Sequence, residues 1–166
     1  MANMKSFLSI LLAWMSVILM TAPGLIVAAP AVPVLPYNAP NPMRDKLTTV
    51  QGLNDYSCKP SITHPRPVVL VHATLLTEES WHPLFAPALV KEGYCVFALT
   101  YGRMPWIPFF AALNHVAGSA QELANFADNV LKATNTSQVD LVGHSQGGIL
   151  GRYWVDYLGG AGKVKR

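Results

Sequence analysis

Val139-Asp140-Leu141-Val142-Gly143-His144-Ser145-Gln146-Gly147-Gly148 is the stretch on which the reading of this chain turns. A short apolar run ends in Gly-x-Ser-x-Gly at residues 143–147, and an amphipathic stretch over residues 149–158 follows, closed by Gly159-Gly160. Three fixed residues of common types say little by themselves; the order strand, glycine turn, helix gives them meaning. A chain that reverses so sharply has no room for a side chain at either glycine, and it holds the serine between them in a strained conformation with its hydroxyl outward. The helix behind directs backbone N–H groups at negative charge developing there. A phosphate-binding turn would want a lysine after the glycines, and none is present. The stretch therefore predicts Ser145 as a nucleophile, with the N–H of the next residue, Gln146, as one oxyanion donor.

Working outward, residues 67–142 alternate short apolar runs with longer amphipathic ones, the pattern of strands and helices built around a parallel sheet. Residues 68–72 read as the first buried strand. A helix over residues 83–92 is expected next, with Pro83 in its first turn, Leu84, Ala88 and Leu89 on one face and Gly93 as its stop. Trp81 and His82 are expected to cap and pack its start. Residues 94–99 read as the second strand, residues 119–133 as a helix with Leu123, Phe126, Val130 and Leu131 at three-to-four spacing, and residues 139–142 as the third strand. In such a sheet the loops after neighbouring strands meet at their C-terminal ends. The loop His72-Ala73-Thr74 thus supplies the second oxyanion donor, a backbone N–H near Thr74. His72 itself reads as a strand-end histidine bonded to nearby backbone, and His144 as a packing or backbone-bonding residue.

Ahead of residue 52 the chain changes character. Lys5, an apolar run over residues 7–20 and small residues around Ala28 and Ala31 read as a signal peptide over residues 1–31, which makes the protein secreted. The competing reading is an uncleaved membrane anchor extended through Val27, against which Pro23-Gly24 interrupts the run. Pro30, Pro33, Pro36, Pro40 and Pro42 then crowd a stretch that sustains neither helix nor central strand, so residues 32–51 read as a proline-rich linker and residues 52–166 as the folded part.

A hydrophobic fraction of 51% with 13% charged residues excludes a disordered chain, and 166 residues leave no room for a second complete domain. The net charge of +3 is scattered, with no basic stripe to neutralise phosphates, so nucleic acid is excluded as a partner. Cys58 and Cys95 fit either one disulfide in an exported protein or two unpaired buried thiols, and their surroundings offer no metal-ligand spacing.

From residue 52 onward the chain resembles the exported bacterial triacylglycerol lipases and esterases known as class 2 lipases. The matching runs, in order, are Cys58-Lys59-Pro60, then Pro65-Arg66-Pro67-Val68-Val69-Leu70-Val71-His72, then Glu92-Gly93-Tyr94-Cys95-Val96-Phe97-Ala98-Leu99, then the stretch quoted first. The resemblance implies an α/β-hydrolase fold and hydrolysis of fatty-acid esters without a cofactor or metal. It also implies Ser145 as nucleophile, Gln146 and Thr74 as oxyanion donors, and a Cys58–Cys95 disulfide. Lipid esters are then the substrate and a lipid interface the partner surface; no oligomeric state follows. The exposed-looking apolar segment with Trp106, Phe109 and Phe110 is expected to line or cover the acyl cleft, or else to be buried under further C-terminal structure.

Two departures from the family pattern carry expectations of their own. Ala73 stands where the family has glycine, so its methyl group is expected to intrude on a tight bend and displace the second oxyanion donor. No histidine follows Ser145, whereas the fold orders its triad Ser, Asp or Glu, then His. Asp156 lies on the helix after the turn, and residues 163–166 look like the start of a next strand, so the chain reads as an α/β-hydrolase truncated before its triad acid and base, with an incomplete parallel sheet. The competing readings are a non-catalytic secreted remnant that binds lipid or a partner, and an acyltransferase or thioesterase on the same fold.

Overall fold

Val68, Val69, Leu70 and Val71 are apolar without alternation, so a strand made of them needs cover on both faces. The computed structural model, which describes residues 50–107 and 109–166, supplies that cover. The expected signal peptide and nearly all of the proline-rich linker lie outside the described residues, as does the competing anchor reading. β1 (Val68–Val71) is the middle strand of a three-stranded parallel sheet, with β2 (Val96–Leu99) on one side and β3 (Asp140–Gly143) on the other. The registers are continuous, Val68 opposite both Val96 and Asp140, Val71 opposite both Leu99 and Gly143. The protein is α/β, with helices flanking the sheet.

Helix α1 (Phe85–Lys91) and a 3-10 turn at Glu78–Trp81 lie between β1 and β2; α2 (Val116–Thr134) lies between β2 and β3; α3 (Gln146–Tyr157) follows β3. Val68 and Leu70 join Ala86, Val96 and Ala98 on one face, against Leu89, Val90 and Trp81. Val69 and Val71 face the other way, into the larger cluster that holds Phe97, Leu99, Leu123, Phe126, Val130, Leu150 and Trp154. Burying one such aliphatic or aromatic side chain is worth about 1.5–3 kcal/mol, and this second cluster is what clamps α2 and α3 to the sheet.

The periodicity of α2 appears as expected, but the helix starts three residues earlier. His115 caps it, its Nδ1 accepting the Gly118 N–H at 3.0 Å. The first helix departs further from expectation. Leu84 has φ −145, so the helix opens at Phe85 and Pro87, rather than Pro83, occupies the first turn where a missing N–H is harmless. Its inner face is Ala86, Leu89 and Val90; Leu84 and Ala88 are exposed. Trp81 and His82 therefore close the 3-10 turn and do not open the helix. The second strand begins two residues late because Tyr94 still closes α1, giving its N–H to Leu89 O at 3.1 Å beyond the left-handed Gly93.

Both edges of the sheet are engaged. Beside β2, Leu53 bridges Val96, and the Asn54 carboxamide donates to Ala98 O at 2.9 Å and accepts from Ala98 N–H at 2.8 Å. Beside β3, Val164 forms a single parallel bridge with Val139, and Arg66 and Arg166 both bond Asp140. A Cys58–Cys95 disulfide, with Cα atoms 5.8 Å apart, ties the start of β2 to the segment ahead of β1. None of the helices of the described residues is long and apolar enough to cross a membrane.

Candidate functional site

The turn between β3 and α3 is built by contacts that admit only hydrogen at two places. A Cβ on Gly143 would lie 2.5 Å from Gly148 N, and one on Gly147 would lie 2.3 Å from Val71 O and 2.8 Å from His72 O. The latter contact shows that the start of α3 rests directly on the backbone leaving β1. Gly148, by contrast, has its nearest neighbour for a Cβ at 3.8 Å. Between the glycines Ser145 takes φ 52 and ψ −116 at the N-terminal end of α3, with its residue exposed. That conformation costs a non-glycine residue on the order of 1–3 kcal/mol and persists only where its surroundings impose it.

The segments after β1 and β3 meet as their register dictates. Val71 and Gly143 are paired, and His144 N–H donates to Val71 O at 3.0 Å. Residues 72–74 and 144–146 thus leave the same end of adjacent strands. Among the described residues neither the Thr74 N–H nor the Gln146 N–H has a hydrogen-bond acceptor, whereas Gly147 N–H and Gly148 N–H are taken by His144 O and Ser145 O. Ala73 is buried but is not among the residues with positive φ; the left-handed position of this loop is Leu75, at φ 65. No left-handed bend therefore asks for glycine at residue 73; the left-handed residue lies two positions later, where Leu75 N–H is fixed to Ala111 O at 3.0 Å.

His72 is wholly buried, and both of its ring nitrogens are engaged. Nδ1 lies 2.9 Å from Ala73 O, and Tyr101 N–H donates to Nε2 at 3.3 Å. These two bonds require the tautomer protonated at Nδ1. Burial lowers its pKa to about 4, with Arg103 nearby pressing the same way against the bond to Ala73. His144 is exposed beside Ser145, its ring 6.5 Å from that of Trp81. No hydrogen bond joins Ser145 Oγ to a histidine among the described residues.

Two polar residues that sequence reasoning did not single out lie behind this turn. Tyr101, wholly buried just past β2, stacks on His72 with ring centroids 4.3 Å apart and 13° between planes. Its hydroxyl donates to His72 O at 2.8 Å and lies 3.2 Å from the Gln146 carboxamide, from whose N–H, turned toward it, it accepts. Glu122, on α2, receives the Gly102 N–H at 3.3 Å, and burial pushes its carboxyl up to about 7. A tyrosine and a glycine directly after an apolar strand were the only sequence signal for this arrangement.

Trp106, Phe109 and Phe110 are exposed, as are Leu75, Leu76, Leu84 and Phe85, all on segments leaving the C-terminal ends of β1 and β2 or returning to α1. Apolar side chains thus concentrate on the connections at the end of the sheet where Ser145 stands. Among the described residues no group of three His, Cys, Asp or Glu side chains is gathered to hold a metal.

Residues 65–165, well over half of the chain, match the family model described as Lipase (class 2). Comparison with curated proteins gives no match.

Proposed function

The chain belongs to the class 2 lipase family, a family of lipase and esterase-type hydrolases, and from that premise we propose that it is an α/β-hydrolase in which Ser145 attacks carboxylic esters of fatty acids. The observation that carries the reading is the backbone of Ser145: an exposed serine held at φ 52 between two glycines that cannot bear a Cβ, at the mouth of α3.

In the reaction Ser145 Oγ bonds to the ester carbonyl carbon while its proton passes to a general base, a role this fold gives to a histidine later in the chain than the nucleophile and that no histidine among residues 146–166 fills. Charge gathers on the carbonyl oxygen, which accepts hydrogen bonds from the Gln146 and Thr74 N–H groups, the two amides left without acceptors. Collapse of the tetrahedral intermediate expels the alcohol, which takes up the proton, and water then releases the fatty acid from the acyl-enzyme. His72 does not fit as the base: it is buried, both nitrogens are committed, and near neutral pH it is already locked as an acceptor for Tyr101 N–H. The exposed Trp106, Phe109 and Phe110 are read as the acyl-contacting surface at a lipid interface. Export fits the same reading, since the Cys58–Cys95 disulfide belongs to an oxidising compartment.

The test is covalent labelling of the folded chain by a fluorophosphonate probe, together with hydrolysis of a short-chain p-nitrophenyl ester and its thioester analogue. Labelling at Ser145, with ester hydrolysis lost in Ser145→Ala, supports the reading; a preference for the thioester redirects it to thioester cleavage on the same site. A folded chain that neither labels nor hydrolyses overturns it in favour of a non-catalytic lipid- or partner-binding protein.

A further inference from the structure

The two amides assigned to the oxyanion come from separate segments, and an oxyanion hole works only if both sit about 2.7–3.1 Å from one point. Something must hold their separation. The contact of Gly147 with Val71 O sets how close α3 comes to β1; beyond His72 the loop after β1 is held by Leu75 N–H on Ala111 O at 3.0 Å and Leu76 N–H on Ala73 O at 3.2 Å, neither of which reaches the turn that carries Gln146.

We infer that Tyr101 is a positioning residue whose hydroxyl ties the segment carrying Thr74 to Gln146 and so fixes the separation of the two oxyanion donors. The inference rests on the roles given above to Ser145, Thr74 and Gln146. Three observations carry it. The phenol gives its one hydrogen to His72 O at 2.8 Å, and with the Gln146 carboxamide, 3.2 Å away, turned so that its N–H faces the phenol, the same oxygen accepts from the other segment, whereas satisfying a buried hydroxyl needs only one of these bonds. The ring that bears it cannot swing, because it stacks on His72 while its own backbone is held on both sides, Tyr101 N–H by His72 Nε2 at 3.3 Å and Tyr101 O by Ala112 N–H at 2.8 Å.

The third observation is how the restraint reaches Thr74. Ala73 C=O and Thr74 N–H belong to one planar peptide group, so whatever holds that oxygen also aims that N–H. The oxygen accepts from His72 Nδ1 at 2.9 Å as well as from Leu76 N–H at 3.2 Å within its own loop, and the His72 ring is held by Tyr101. The Leu76 bond orients that peptide within its own loop, and Tyr101 is what joins it, through the histidine ring, to the Gln146 carboxamide on the other segment. This also gives the fully buried His72 a role other than proton transfer: it acts as a spacer between a tyrosine and a peptide plane.

The experiment compares the full chain with Tyr101→Phe, which keeps the stacked ring and removes only the hydroxyl, and with Gln146→Leu, which keeps the backbone N–H and removes the amide at the other end of the bond. Thr74 and residue-146 amide signals are followed in ¹H–¹⁵N spectra, alongside kcat and KM for a short-chain ester. Tyr101→Phe is expected to move or broaden the Thr74 and Gln146 signals together. It should lower kcat roughly ten- to hundred-fold, short of the loss of a whole donor, with KM within about two-fold. Gln146→Leu should displace Thr74 in the same way, and the double variant should add little. A Thr74 signal unmoved in both variants, or a stability loss with kcat and KM unchanged, overturns the inference. If the unaltered chain shows no Ser145-dependent turnover, the hydrolase reading fails by itself, and the amide signals still decide whether Tyr101 joins the two segments.

Discussion

Replacing Glu122 by glutamine should make the protein more stable at about pH 8 and more sensitive to acid below it, because two buried groups titrate in opposition. Burial moves the Glu122 carboxyl from 4.5 up to about 7, a rise that the Gly102 N–H bond partly offsets. The folded state then binds more protons than the unfolded one between those values, so Glu122's contribution is full below pH 4.5 and is lost as the pH rises through about 7. His72 behaves oppositely. Moved from 6.5 to about 4 by burial, it binds fewer protons when folded, so its contribution is present above pH 6.5 and is lost as the pH falls through about 4. Each displacement separates the two protonation states by roughly 3 kcal/mol. Solvent reaching Glu122 reduces its share to about 1.5 kcal/mol, while the wholly buried His72 keeps its own. From about pH 8 to pH 4.5 the unaltered chain should lose about 1.5 kcal/mol, and Glu122→Gln about 3 kcal/mol from a starting point about 1.5 kcal/mol higher. Asp140 does not blur the window: burial raises it, but the bonds from Arg66 and Arg166 outweigh that and hold it below 3.8. Urea midpoints across this range, read by tryptophan fluorescence with the disulfide intact, provide the measurement. Parallel profiles for the two proteins would refute the reasoning, since Glu122 would then ionise alike folded and unfolded.

Two further outcomes follow from packing and covalent structure. Gly147→Ala should cost about 3 kcal/mol or more, because the new methyl meets the Val71 and His72 carbonyl oxygens and not a movable side chain; Gly148→Ala, whose methyl would make only an ordinary contact with Gly143 O at 3.8 Å, should leave stability unchanged or raise it by up to about 1 kcal/mol, both read in thermal melts. Cys58→Ser with Cys95→Ser should lower stability by about 4 kcal/mol, the chain-entropy value for a cross-link of sequence separation 37; a loss under about 1 kcal/mol in urea unfolding would show that the unfolded chain is already constrained there.

The strands and the glycine turn were legible because each is a local pattern with one physical meaning. Val68, Val69, Leu70 and Val71 cannot be half-exposed, and Gly143 and Gly147 flank a residue in a conformation that few turns require. The long helix was legible for the same reason, its apolar residues recurring on one face, although its cap was missed because histidine is an uncommon acceptor for the first-turn N–H groups. The first helix was harder to place. Pro83 and Pro87 both satisfy a first-turn rule, and only the contact of Ala86, Leu89 and Val90 with the sheet chooses between them. The same holds behind the nucleophile turn. That Tyr101 lies under His72, and that Glu122 reaches Gly102, depends on how α2 docks across β2, which no spacing along the chain encodes. The family's glycine at residue 73 did not point to the loop's left-handed position, which is Leu75.

Asn54 has a consequence for how this sheet behaves toward other molecules. Its carboxamide presents one donor and one acceptor to Ala98, the pair a neighbouring strand's peptide group would offer, and so occupies the outer edge of β2 at mid-strand. An exposed strand edge is a template for a strand from another chain. With Leu53 bridged to Val96 and the Asn54 side chain standing in for that neighbour at Ala98, the described outer edge of β2 has fewer free peptide groups to offer an incoming strand. One asparagine thereby guards, at mid-strand, an edge that a further strand would otherwise have to cover.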